Sequence, residues 1–414
     1  MISEQIKEKY LKAGQAHVLA FENELSEEEC SLFEKQLNNI DLDLAAMLFN
    51  KKDEQSSENL SVEPIPCTVQ ANLNKEENDK YTAEGVKIMK NGEYAVVTMA
   101  GGQGTRLGHK GPKGTFYVNV PESISLFEIQ CRRLKKRSEE CGRNIPWYIM
   151  TSEENDSDTQ KFFVENNYFG YAKEDIFFFK QYMLPMLNEE GKLVLEEKYK
   201  IKEGADGHGG IFRAMLGRGV IDDMKKRRIK WIFVGGIDNI LVQLADPCFL
   251  GYISLSGYKL GGKSLIKRDA YEKAGVFCKK GGKPFVIEYT EISSELAELV
   301  DENNEFVYGD AHILCNMFNI EVFEKMGDKG LPYHTAHKKT AYINENGEKI
   351  TPDKPNAYKY EAFIFDAFAY YDDMGIFRVK REHEFAPIKN KTGEDSPETA
   401  SKLYLEYIAE CEGV

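Results

Sequence analysis

Residues 98–116 read Thr98-Met99-Ala100-Gly101-Gly102-Gln103-Gly104-Thr105-Arg106-Leu107-Gly108-His109-Lys110-Gly111-Pro112-Lys113-Gly114-Thr115-Phe116. They follow an apolar run, Tyr94-Ala95-Val96-Val97, that has the character of a buried parallel strand. The stretch holds six glycines, one arginine and two lysines. Glycines let a backbone pass close to a ligand with its N–H groups turned inward. Arg106 and Lys113 add fixed positive charge. A strand ending in such a turn suits a nucleotide-using enzyme that holds a polyphosphate. The stretch is not a P-loop, because the Gly-Lys-Ser/Thr ending is missing. Nor is it a dinucleotide fingerprint, because the third glycine is misplaced. Taken alone, it is equally a tight strand-to-helix turn with solvated charges.

Outward from this loop the pattern is regular. Short strands are expected at 94–99, 147–150, 176–180 and 231–235, with amphipathic helices between them, such as 126–139 and 210–226. This alternation predicts a mainly parallel α/β sheet. Such sheets bind ligands at the carboxyl ends of their strands, where the glycine loop sits. Further strands are expected within 252–330, including 284–289. An apolar run at 363–368 and a last helix after Ser396-Pro397-Glu398 follow. Residues 1–90 have another texture. Gln15 to Asn50 carries apolar residues at near-helical spacing among many acids, and Ser26-Glu27-Glu28-Glu29 has the form of a capping box. A helical N-terminal domain is expected there, with a polar connecting loop over 51–78 that contains Pro64 and Pro66. The division by pattern is 1–90, 91–330 and 331–414.

The 414 residues leave room for two or three domains and a large core. Hydrophobic content of 42% and charged content of 29% are those of an ordinary soluble protein. No apolar stretch is long enough to span a membrane, and Met1-Ile2-Ser3-Glu4-Gln5 does not open a signal peptide. The eight cysteines are scattered without a Cys-x-x-Cys pair, as expected of reduced thiols in the cytoplasm. A net charge of −14 argues against non-specific nucleic-acid binding. An anionic substrate therefore needs a local cationic pocket, which the loop, Lys338-Lys339 and Lys389 can supply.

Three further segments carry chemistry. In Phe233-Val234-Gly235-Gly236-Ile237-Asp238-Asn239, an apolar strand ends in Asp238. On spacing alone this carboxylate is equally a Mg²⁺ ligand beside a polyphosphate or a helix N-cap. In Lys180-Gln181-Tyr182-Met183-Leu184-Pro185, the amide of Gln181 can donate to and accept from a pyrimidine edge. In Asp206-Gly207-His208-Gly209-Gly210, glycines allow close backbone approach and His208 can donate to a ribose or phosphate oxygen. Pro387-Ile388-Lys389-Asn390 is the last, and its lysine alone would pass for solvated surface.

Together these segments resemble one family. The string Ala-Gly-Gly-x-Gly-Thr-Arg-Leu-Gly-x-x-x-Pro-Lys-Gly matches the loop of sugar-nucleotide pyrophosphorylases. Gly14-Gln15-x-His17, Ile145-Pro146-Trp147-Tyr148, Leu193-Val194-Leu195-Glu196, Ile237-Asp238-Asn239-Ile240, Val286-Ile287-Glu288-Tyr289 and Phe385-Ala386-Pro387-Ile388-Lys389-Asn390 follow in family order. The chain is similar to the eukaryotic-type UDP-N-acetylglucosamine pyrophosphorylases, within the UTP:sugar-1-phosphate uridylyltransferases, from about Gly14 to about Ala400. The fold this implies is a Rossmann-like, GT-A-like nucleotidyltransferase, with a mixed, mainly parallel sheet flanked by helices and a helical N-terminal region.

The resemblance implies a Mg²⁺-dependent reaction of UTP with N-acetylglucosamine 1-phosphate, giving UDP-N-acetylglucosamine and pyrophosphate. The sugar-phosphate oxygen would attack the α-phosphorus of UTP in line. Ala100, Gly101, Gly102, Gly104, Thr105, Gln181, Pro185, Gly207 and His208 would bind the nucleotide. Arg106, Lys113 and Lys389 would be catalytic, acting on the phosphates. Asp238 would hold the metal, with Asp366 as the next candidate. Glu288, His312 and Asn239 would bind the sugar. Two positions differ from the family pattern: His208 stands where asparagine is usual, and His312 stands where an asparagine reaches the acetamide. The family's C-terminal domain is expected to be short or absent, which favours a monomer. Glucose or galactose 1-phosphate is the alternative substrate, and a non-catalytic UTP or UDP-sugar sensor the alternative of another class.

Overall fold

The computed structural model describes residues 1–52 and 61–411. The chain divides into two compact units. The first gathers residues 1–59, 182–210 and 331–364, and the second gathers 60–181, 211–330 and 365–414. The linear division 1–90, 91–330 and 331–414 is therefore corrected. Each expected domain is cut by a unit boundary, because apolar stretches distant in sequence share one core. Among the described residues no helix is long and apolar enough to cross a membrane.

The larger unit is built on an eleven-stranded sheet. Strand Trp231–Gly236 runs parallel to Tyr94–Met99, which runs parallel to Trp147–Thr151, and that strand runs parallel to Ile176–Lys180. The first three are buried almost without a break, as expected of strands covered on both faces, whereas Ile176–Lys180, at the sheet edge, is mostly half-buried. The long strand Asp310–Asn319 lies antiparallel to Trp231–Gly236 on one side and to Leu260–Ile266 on the other. Gly375–Arg378 and Thr68–Val69 then add in parallel. The sheet is mixed and mainly parallel. Val276–Lys280 and Lys283–Ile287 form an antiparallel extension, and the second of these replaces the strand expected at 284–289.

A buried chain of hydrogen bonds fixes the middle of this sheet. Trp147 Nε1 donates to Thr98 Oγ1 at 2.8 Å, Thr98 Oγ1 donates to Gln130 Oε1 at 2.8 Å, and Gln130 Nε2 donates to the Gly236 carbonyl at 2.9 Å. Three strands and the helix Leu126–Cys141 are thereby tied together. Helix Lys75–Lys90 lies in this unit and crosses Pro247–Leu255 at close range. A Cβ on Gly85 would come within 1.9 Å of the Pro247 carbonyl oxygen, and one on Gly251 within 1.8 Å of the Tyr81 oxygen. Only glycine allows that approach. The expected helix over 210–226 is two helices, Ile211–Gly217 and Val220–Lys226, parted at Gly219 with φ 76°. That left-handed residue ends a helix. The last helix, Pro397–Cys411, stands where expected.

The smaller unit contains helices Glu4–Lys12, Glu27–Asn39 and Leu42–Asn50. The capping box at Ser26 is present, with Glu29 as its partner. Val18, Phe33, Leu37 and Leu48 pack with Leu187, Leu193, Leu195, Ile201 and Tyr360 in one core. The Gly14-Gln15-x-His17 motif serves this packing. Gln15 pairs with the Gly191 carbonyl and the Leu193 N–H, and His17 Nε2 lies 2.8 Å from the Leu193 carbonyl. Strand Met183–Pro185 pairs with Glu203–Ala205. The expected connecting loop over 51–78 holds strands Val62–Glu63 and Thr68–Val69 and the start of a helix. Its residues 53–60 lie outside the described residues.

Candidate active site

Four parallel strands end on the same edge of the sheet, and the predicted residues leave from those ends. Ala100 to Gly102 follow Met99, Gln181 follows Lys180, and Asp238 lies two residues beyond Gly236. The glycine loop folds back on itself as a short hairpin. Gly104 N–H donates to the Gly111 carbonyl, and Lys113 N–H to the Gly102 carbonyl. His109 Nε2 lies 2.7 Å from Thr115 Oγ1, which itself donates to the Pro112 carbonyl. The histidine closes the loop from inside. Arg106 lies exposed on the turn Thr105–Leu107. Around Gly102 there is open space, whereas a Cβ on Gly101 would come within 2.7 Å of Gln181 Nε2. The Gln181 amide and the start of the loop are thus in contact range.

Asn155 secures the loop and went unread in the sequence. It is fully buried, and its Nδ2 donates to the carbonyls of Ala100 at 2.9 Å and Gly102 at 3.2 Å. Its Oδ1 accepts from Ser152 N–H at 2.8 Å. The available signal was an asparagine just past the end of a neighbouring strand.

Asp238 is not a helix N-cap. The next helix is Pro247–Leu255, and its cap is Asp246. The Asp238 carboxylate instead lies 3.5 Å from Lys113 Nζ, with about a third of its side chain exposed. Its backbone meets the segment carrying Lys389. Ile388 N–H donates to the Asp238 carbonyl, and Asn239 and Pro387 form a β-bridge. Asn239 does not fit the sugar-binding role expected of it. It is buried, its Nδ2 donates to the Glu384 carbonyl at 2.6 Å, and its Oδ1 accepts from the N–H groups of Leu241 and Ala386. Its amide is used to bind one backbone segment to another. Lys389 Nζ rests 3.1 Å from Asp395, and both the Lys389 and Asn390 N–H groups donate to the Asp395 carbonyl.

Glu288 and His312 flank the start of one strand. Val276 pairs with Ile287 and with Ala311, and the Gly275 carbonyl accepts from His312 N–H at 2.8 Å. A Cβ on Gly275 would come within 3.0 Å of Glu288 Oε1. The His312 ring is boxed by Phe277, Phe365 and Phe368. Burial pushes its imidazole down to about 4, against the pull of a hydrogen bond to Asn316. At neutral pH the ring is uncharged, and its bond to the Asn316 Oδ1 oxygen puts the proton on Nε2.

Pro185, Gly207 and His208 belong to the smaller unit. His208 Nδ1 accepts from Ile364 N–H at 3.0 Å, and its ring lies on Phe363. Asp366, the alternative metal carboxylate, is buried in the short 3₁₀ helix Ile364–Tyr370. Among the described residues no group of three or more His, Cys, Asp or Glu side chains could hold a metal by itself. A single carboxylate is nonetheless what Mg²⁺ uses when substrate phosphates and water complete its shell. Asp238, part-exposed at the strand end beside Lys113, fits that mode.

A glycine loop, a cationic pair and a carboxylate at the carboxyl edge of a mainly parallel sheet define a Rossmann-like nucleotidyltransferase. The family model of UTP–glucose-1-phosphate uridylyltransferases matches residues 42–404. A Saccharomyces cerevisiae UDP-N-acetylglucosamine pyrophosphorylase is 37% identical over 87% of this chain and 78% of its own length. Arabidopsis thaliana UDP-N-acetylglucosamine diphosphorylase 2 is 34% identical over 95% of this chain and 81% of its own. The crystal structure of the Trypanosoma brucei UDP-N-acetylglucosamine pyrophosphorylase superposes with a TM-score of 0.84 at 30% identity, covering 96% of this chain and 83% of that one. The chain belongs to the UDP-N-acetylglucosamine pyrophosphorylase family, and its reaction is of the UDP-sugar pyrophosphorylase type.

Proposed function

We propose that this enzyme makes UDP-N-acetylglucosamine and pyrophosphate from UTP and N-acetylglucosamine 1-phosphate, with Mg²⁺ as cofactor. The observation that carries the reading is the junction at the sheet edge, where Lys113, Asp238 and the Lys389 segment meet the glycine loop. The loop backbone takes the nucleotide, and Gln181 reads the uracil edge beside Gly101. Lys113 and Arg106 face the β- and γ-phosphates and stabilise the departing pyrophosphate. Lys389 leaves Asp395 for the α-phosphate and stabilises the charge that builds there as the sugar-phosphate oxygen attacks. No protein atom becomes covalently bound, so positioning and charge neutralisation carry the catalysis. Asp238 holds Mg²⁺, which neutralises phosphate charge when bound.

Glu288 accepts hydrogen bonds from sugar hydroxyls. With its proton on Nε2, His312 offers Nδ1 as an acceptor, which suits the N–H of an acetamide. A hydroxyl can meet the same acceptor, and this supports glucose or galactose 1-phosphate as the second reading. A pyrophosphate-release assay with UTP, Mg²⁺ and a panel of sugar 1-phosphates tests both. N-acetylglucosamine 1-phosphate is expected to give the highest kcat/KM. Glucose 1-phosphate ahead of it would reverse the order of the two readings, and no turnover with any sugar would leave a sensor.

A further inference from the structure

A buried ionic cluster lies behind the segment that carries Lys389, and the reaction proposed above makes no use of it. Lys263, on strand Leu260–Ile266, has no solvent exposure. Its ammonium lies 2.7 Å from Asp246 and 2.6 Å from Glu384. Asp246 also accepts from the N–H groups of Cys248 and Phe249, whereas Glu384 Oε2 is buried without a hydrogen-bond partner among the described residues. Stability is a weak reason for such a cluster, since apolar residues of similar volume often serve as well. Position is a better one. The Glu384 carbonyl accepts from Asn239, Asn239 accepts from Ala386, and Ile388 N–H reaches the Asp238 carbonyl. The side chain that Lys263 grips therefore begins the backbone ladder that sets Lys389 beside Asp238.

We infer that Lys263 is a positioning residue: through Glu384 it fixes the segment presenting Lys389, and its grip depends on whether Glu384 carries a proton. The inference rests on the roles proposed for Lys389 and Asp238. Facing Glu384 are Lys263 from its strand, Asp246 from a helix cap, Arg133 from helix Leu126–Cys141 and Cys315 from strand Asp310–Asn319. Burial pushes the Glu384 carboxyl up to about 7, against the pull of Lys263 and with a further push from the Asp246 charge. Burial alone would raise Asp246 too, but Lys263 and the two N–H donors hold it below its usual range. One ammonium serves two carboxyls, and Glu384 is the one that takes up a proton near neutrality. Ionised, it makes a charge-assisted bond to Lys263; protonated, it makes a weaker one. The grip tightens as pH rises through about 7.

The test uses the full chain and two variants. Glu384→Gln keeps an acceptor for Lys263 but cannot titrate, and Lys263→Met removes the grip. The ratio of wild-type to E384Q kcat is expected to rise between pH 6 and pH 8. Substrate phosphates titrate nearby, with a second pKa of about 6, but they do so for both enzymes and cancel in the ratio. K263M is expected to lose kcat by a factor on the order of 10², typical of a catalytic group displaced by an ångström, with KM for UTP little changed. Hydrogen exchange supplies a readout without turnover. Protection of residues 384–389, corrected for intrinsic rate, should rise with pH in the wild type and stay flat in E384Q. A flat kcat ratio or pH-independent protection in the wild type overturns the inference. If K263M does not fold, E384Q and the exchange data decide alone. Absence of turnover in the wild type instead overturns the functional reading, while the exchange data still judge the grip.

Discussion

Lys389 rests on Asp395 at 3.1 Å. If it leaves that partner for the α-phosphate, Lys389→Ala should lower kcat by a factor on the order of 10² or more. Steady-state kinetics check this, and near-normal turnover removes the lysine from the mechanism. Asp238→Asn should weaken Mg²⁺ activation, read as a rise in the Mg²⁺ concentration at half-maximal rate. An unchanged value would turn attention to Asp366. His312 gives a prediction about stability. Its pKa is about 6.5 unfolded and about 4 folded. Its contribution is therefore full above pH 6.5 and is lost as pH falls towards 4. The slope is about 1.4 kcal/mol per pH unit for one proton. Urea unfolding at several pH values should show the slope in the wild type and lose it in His312→Phe. At this scale the sequence was informative where residue type and position coincide. Arg106, Lys113 and Gln181 could be read from the loop and the strand ends. Asp238 stood undecided because an aspartate past a strand serves two purposes, and the cap is excluded only because the next helix starts at Pro247 and is capped by Asp246. Asn239 misled because its family string sits in the site while its side chain turns to the backbone.

The elements were legible to the extent that their signals are local. Ser26-Glu27-Glu28-Glu29 named a helix start because both halves of a capping box lie within four residues. The strands at 94–99, 147–151 and 231–236 stood out because a strand buried on both faces is apolar throughout. The break at Gly219 was hidden, since the apolar spacing carries on across it. Asn155 was hidden as well, because its partners lie on another strand's loop, 53 and 55 residues away. Asn155→Ala leaves the Ala100 and Gly102 carbonyls without that donor. A loss of about 1–3 kcal/mol is expected, with a raised KM for UTP as the loop loosens. Chemical unfolding and kinetics measure the two effects. Gly85→Ala sets a methyl group against the Pro247 carbonyl. Backbone has to move, so a cost of about 1–3 kcal/mol or more is expected, visible as a lower denaturant midpoint. A midpoint equal to the wild type would mean that the two helices separate freely.

Over the whole molecule, the sequence pattern and the packing part company. The texture of residues 1–90 suggested a domain with its own core, yet Phe33, Leu37 and Leu48 find much of their cover on Leu187, Leu193, Leu195, Ile201 and Tyr360. Periodicity reports that a helix has an apolar face but carries no information about which distant stretch covers it. A fragment of residues 1–90 is therefore expected to show no cooperative thermal transition by circular dichroism. A sharp transition would mean that the helical region forms a core unaided. The same long-range dependence governs the candidate catalytic centre. Asn239 and Ala386, whose bond joins the Asp238 and Lys389 segments, are 147 residues apart. On the ribosome the aspartate emerges well before its counterpart exists, and the intervening chain must be made before the two can meet. With the roles proposed for Asp238 and Lys389, catalytic competence is a late event in biosynthesis, and a polypeptide released before residue 389 is expected to have most of the sheet in place and still be inert.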